Sequence, residues 1–139
     1  MVSTVGRGPE LANTLLDVVR DQRSATERQT AMDLLTRMEG GDATDGVILD
    51  RLRKTEAADA RVDVIRILGL RRAPTATADL LEQARDPEPR VRVAALRAMR
   101  RMVGPSDVEP LIAVLKTDPD GAERVAAISA LVSACGDDD

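Results

Sequence analysis

The sequence predicts an all-α fold, a solenoid of four stacked helix pairs, and three observations predict it. The 139-residue chain has no Phe, Tyr or Trp, so its core must come from Leu, Ile, Val, Met and Ala. Ala and Leu are strong helix formers, and the aromatics that favour strands are missing. The second half of the chain also repeats itself: DPEPRVRVAALRAMRRMVG at 86–104 realigns on DPDGAERVAAISALVSACG at 118–136 with a constant offset of 32. Finally, Pro, Asp, Gly and Ser gather at regular breaks between apolar-periodic segments, where helices start and stop.

The elements follow in order from this register. Pro9 stands six residues before Leu15-Leu16, Pro74 six before Leu80-Leu81, and Pro105 six before Leu111-Ile112. Each Pro suits a first helical turn, where its missing N–H is no loss. The first helices are therefore expected over 9–21, 43–54, 74–85 and 105–116. The second helices are expected over 24–39, 57–71, 88–103 and 120–135. Gly40-Gly41, Gly104 and Gly136 follow helix ends, where a left-handed residue closes the last turn. In 88–103, Val91, Ala95, Ala98 and Met102 form a core stripe widened by Ala94 and Met99. The chain length suits a single domain, here 1–136, with units at about 9–40, 42–72, 73–104 and 105–136. Residues 137–139 form a solvated acidic tail. A period near 32 means stacked supersecondary units, and four exceed the three or so that such an array needs. Short helices of this kind are marginal alone and must be stabilised by their neighbours.

The repeat also carries a charge column. Arg28, Arg61, Arg92 and Arg124 recur in register, with Asp86 and Asp118 six residues before the last two. Tetratricopeptide repeats depend on aromatics, and ankyrin repeats on a Thr-Pro-Leu-His signature; this chain has neither aromatics nor His. The pattern Asp86-Pro-x-x-x-Val-Arg92-x-Ala-Ala-x-x-Ala-Met resembles the short HEAT-like repeats typified by phycobilin-lyase-type proteins, at a period below the usual 40–47 or so. The resemblance covers nearly the whole chain and is most specific in the third and fourth units. It implies a right-handed α-α superhelix and a structural ladder between neighbouring units, with Arg28, Arg61, Arg92 and Arg124 facing Asp86 and Asp118. Gln22 and Thr55 stand in the corresponding turns of the first two units. It further implies a scaffold or adaptor, with the second helices lining the concave face.

Composition excludes several activities. No His is present, so no His-based triad, general base or His metal site can form. The single cysteine, Cys135, can make neither an internal disulfide nor a Cys-based metal site. Without aromatics there is no stacking platform for single-stranded bases, and the net charge of −4 gives no overall field for nucleic acid. No catalytic residue, cofactor or metal is expected. No apolar run approaches the ~20 residues of a membrane span, and the N-terminus lacks a signal peptide's apolar core. The expected location is cytoplasmic.

What remains is a surface for a protein partner. Opposite the core stripe, Val62, Val93 and Val125 form a column flanked by Ile65, Leu96 and Ile128. Arg66, Arg97 and Arg100 edge it, and Val132 continues it at the end. Such a strip either takes a partner helix or extended segment or is covered by adjacent helices. The last helix is Ala- and Val-rich with little charge, where a terminal repeat should be polar, so self-association is a second expectation. An accessory, lyase-like role chaperoning a cofactor rests on the family resemblance, and nucleic-acid binding comes third.

Overall fold

A computed structural model describes residues 8–21, 24–39, 41–117, 119 and 121–135. Its described residues form eight α-helices: α1 (Gly8–Asp21), α2 (Ala25–Arg37), α3 (Gly41–Lys54), α4 (Ala58–Arg71), α5 (Thr77–Gln83), α6 (Pro89–Met99), α7 (Val108–Lys116) and α8 (Gly121–Cys135). They pack pairwise in chain order, α1 with α2 through α7 with α8. The second helices α2, α4, α6 and α8 lie side by side in one row, and α1 packs against α3 in the other layer. This is the two-layer solenoid that the repeat predicted, in which each unit is stabilised by its neighbours.

Local chemistry sets the helix ends. The Ser24 hydroxyl accepts from the Glu27 N–H at 3.3 Å and caps α2. Asp86 accepts from the Glu88 N–H at 2.9 Å, turning the chain so that Pro89 opens α6. Pro74 and Pro105 open short 3-10 turns, Pro74–Ala76 and Pro105–Asp107, ahead of α5 and α7. These two helices are therefore shorter than expected. The α6 helix also stops at Met99, because Arg101 and Met102 donate three residues back, to Ala98 at 3.2 Å and Met99 at 2.9 Å, tightening the last turn.

The expected glycine closures are met only in part: Gly41 is left-handed (φ 53°) where the chain passes from α2 to α3. Gly104 is extended (φ −137°), and its N–H donates to Asp107 at 2.9 Å, so it opens the next element rather than closing the last. The left-handed residue that ends α4 is Arg72. Gly40 and Gly136 lie outside the described residues.

The core runs the length of the stack and is wholly aliphatic. Leu16, Leu35, Ile48, Leu52, Ile65, Ile67, Leu68, Leu80, Leu96, Met99 and Leu111 are fully buried. The expected α6 stripe is there: Val91, Ala95, Ala98 and Met99 are buried, with Ala94 and Met102 packed at its margin. Helix α8 is different in kind. It buries only alanines and one carboxylate (Ala126, Ala127, Ala130, Ala134 and Glu123) and leaves Val125, Ile128 and Val132 exposed. Full burial of each of these three would contribute about 1.5–3 kcal/mol.

Candidate partner-binding groove

The row of second helices presents a continuous groove. At its α4–α6–α8 end the groove encloses about 1000 Å³. Its floor is apolar and small: Val62, Gly69, Ala94, Ala98, Ala126 and Val125. Small side chains keep this floor low because α4 and α6 approach closely. A Cβ added at Gly69 would stand 2.6 Å from the Cβ of Ala98, nearer than two carbons can pack.

Five arginines edge the floor: Arg66, Arg72, Arg97, Arg100 and Arg101. Among the described residues no Asp or Glu lines this stretch, and none of the five has an ion-pair partner. The chain as a whole is acidic, at −4, so its charge is segregated.

Toward the N-terminal end the groove continues over about 770 Å³ between α2, α4 and α6, sharing Val62, Ala94 and Arg97 and adding Val93. Here the charges are matched. Arg28 meets Asp63 at 2.8 Å, and Arg90 bridges Asp59 and Glu88. The hydrogen bond to Glu88, with the charge of Asp59 behind it, raises the pKa of the Arg90 guanidinium above its ordinary value. Arg90 is thereby occupied, whereas Arg97 is not.

The predicted strip thus splits. Val62, Arg66, Arg97, Arg100 and Val125 line the basic stretch, and Val93 lines its continuation. Ile65 and Leu96 do not belong to it. Both are completely buried, because α4 is covered by α2, α3 and α6, and α6 by α4, α5 and α8, so the flank of each core stripe meets a neighbouring unit. Ile128 and Val132 are exposed but lie outside the groove lining. Arg72 joins the groove without having been expected, since nothing in a helical pattern marks a residue that the chain turn delivers.

The Arg column forms a ladder with partners that only partly follow the expected turn position. Arg61 reaches Asp86 in the turn at 2.7 Å. Arg28 pairs with Asp63 on α4, and Arg92 with Glu123 on α8 at 2.9 Å. Arg92 also donates to the Asp86 and Pro87 carbonyls at 2.8 and 3.1 Å. Asp118 and Gln22 lie outside the described residues. A further pair was not expected: Arg71 and Asp45, 2.6 Å apart and each 6% exposed. Arg71 also donates to the Leu35 and Met38 carbonyls, both at 2.7 Å. It thereby neutralises the negative end of α2.

Among the described residues no group of His, Cys, Asp and Glu could hold a metal ion, and no helix is long and apolar enough to cross a membrane. Stacked helix pairs, an inter-unit ion-pair ladder and a groove along the second helices define an α-solenoid of the kind that presents an extended surface. The chain belongs to the HEAT-repeat family, whose HEAT repeats match residues 46–132, more than half of its length. Repeats of this family commonly serve as protein-interaction scaffolds and are typically not enzymes. A search among curated proteins finds no match.

Proposed function

We propose that this chain is a non-catalytic interaction scaffold whose α4–α6–α8 groove takes an acidic protein segment. The observation that carries this reading is the arginine margin. Five guanidinium groups border an apolar floor with no carboxylate between them among the described residues, on a chain of opposite net charge. Left empty, such a margin repels itself; a segment bearing Asp or Glu relieves that repulsion. Each guanidinium presents a planar fork that matches a carboxylate in two parallel hydrogen bonds. The apolar floor suits the hydrophobic side of an amphipathic helix laid along the groove. A protein segment fits better than nucleic acid, because the acidic remainder repels a long polyanion and no aromatic is present to stack a base.

Fluorescence anisotropy with labelled amphipathic peptides, Leu on one face and Asp/Glu on the other, tests the reading. Wild type should bind with an affinity that falls as salt rises. Arg97→Glu with Arg101→Glu should weaken binding at least tenfold, about 1.4 kcal/mol or more. Val93→Glu with Val125→Glu should also weaken it, with helicity by circular dichroism retained. Equal affinity for wild type and the Arg97/Arg101 variant, or for peptides with Lys in place of Asp/Glu, would overturn the proposal. Tighter binding of duplex DNA would replace it with a nucleic-acid role. A tetrapyrrole absorbance shift on titration would replace it with cofactor chaperoning.

A further inference from the structure

Each second helix carries two columns counted from its ladder arginine. Four residues on stand Met32, Ile65, Leu96 and Ile128; six residues on stand Leu34, Ile67, Ala98 and Ala130. Their burial is complementary. Met32, Ile65 and Leu96 are buried while Ile128 is 45% exposed; Ile67, Ala98 and Ala130 are buried while Leu34 is 47% exposed. The first column is therefore covered by the following unit and the second by the preceding one. Gly69, eight residues after Arg61, confirms the direction by meeting Ala98 of the next unit. Val132 holds the register of Gly69 in the last unit and is 65% exposed. Among the described residues α2 and α8 thus each leave open one half of a junction that the chain already makes three times, between α2 and α4, α4 and α6, and α6 and α8.

We propose that a second copy of this chain completes the junction head to tail, with α8 of one copy against α2 of the next. Ile128 and Val132 then cover Leu34, as α4 at Gly69 covers Ala98 of the next unit within the chain. The occupant is a second copy because both halves of the contact belong to this one sequence and continue its internal interface. A pairing of α8 with α8 would leave Leu34 open. The contact joins two different surfaces, so it does not close on itself and copies can be added in line. It is also separate from the groove: Arg97→Glu leaves it intact, so failure of one proposal is distinguishable from failure of the other.

Size-exclusion chromatography with light scattering over a concentration series tests it on the 139-residue chain. Wild type should rise in mass through dimer to larger species as concentration increases to the millimolar range. Leu34→Glu and Ile128→Glu, each blocking one end, should be monomeric alone. Mixed in equal amounts they should form a dimer and stop there, since each contributes its one intact face. Circular dichroism confirms that each variant is folded; Val132→Glu serves in place of Ile128→Glu if the latter unfolds. A wild type that stays monomeric, a Leu34→Glu variant that still dimerises alone, or a mixture that remains monomeric would each overturn the proposal.

Discussion

The junction between the first and second helix pairs and the junction between the second and third are built from opposite materials. At the first, charge is buried: Arg71 reaches from the end of α4 to Asp45 on α3 and to two carbonyls at the end of α2. At the second, bulk is removed: Gly69 lets α4 approach Ala98 of α6 until no side-chain atom fits between them. The same helix, α4, carries both devices on opposite sides. A solenoid needs each interface filled, and it is indifferent to whether the filling is an ion pair with its hydrogen bonds satisfied or close backbone contact.

The sharpest way to break the first junction is to remove one member of its pair. Arg71→Ala leaves Asp45 buried and uncompensated and strips the donors from the Leu35 and Met38 carbonyls. A loss of about 3–5 kcal/mol is expected, read from denaturant midpoints at unchanged slope. Replacing both, Arg71→Met with Asp45→Leu, should recover most of that loss, because an apolar pair of similar size needs no charge compensation. If the double variant is no more stable than Arg71→Ala, the carbonyl contacts rather than the ion pair hold the junction.

The second junction breaks by the addition of one methyl. Gly69→Ala should destabilise by up to about 2 kcal/mol: overpacking costs about 1–3 kcal/mol, partly offset by the roughly 1 kcal/mol that Ala gains over Gly in a helix. Ala98→Gly in the same chain should return part of it, and a double-mutant cycle measures the coupling. No coupling would mean that the helices simply move apart. Because Gly69 and Ala98 also floor the groove, such movement would show as altered peptide affinity in the anisotropy assay.

These two junctions also mark where sequence reading succeeds and where it stops. The four helix pairs, the Arg column and the α6 core stripe were legible because they recur at a nearly constant offset. Ile65 and Leu96 were misplaced for a physical reason: a helical wheel assigns one buried face, whereas a second helix in a stack has neighbours on three sides. The ladder's acids were only partly legible, since Asp63 and Glu123 reach the arginines from helices instead of turns. Arg71 did leave a signal. Its register in the other units holds Met38, Met102 and Ala134, so it is a charge standing at an apolar position, and a buried partner could have been sought. That Arg66, Arg97, Arg100 and Arg101 have no ion-pair partner among the described residues left none, because it depends on which carboxylates the stack brings near.

The smallest expected effect lies between the two junctions. Arg72, next to Arg71, is left-handed at φ 53° and ψ 47°, and its N–H and that of Ala73 bond back to Gly69 and Leu68 to end α4. This turn aims Arg71 into the first junction and sends the chain on to the third unit, where Ala73 is buried. A residue with a Cβ gives up about 1–2 kcal/mol in this conformation, and glycine would not. Glycine also loosens the unfolded chain, which takes back about 0.4–1 kcal/mol. Arg72→Gly is therefore expected to stabilise by about 0.5 kcal/mol, seen as a small upward shift in melting temperature. The same change removes one of the five groove arginines, so acidic-peptide affinity should fall while stability rises. If both quantities fall together, the Arg72 side chain contributes to holding the turn, and the two junctions are coupled through it.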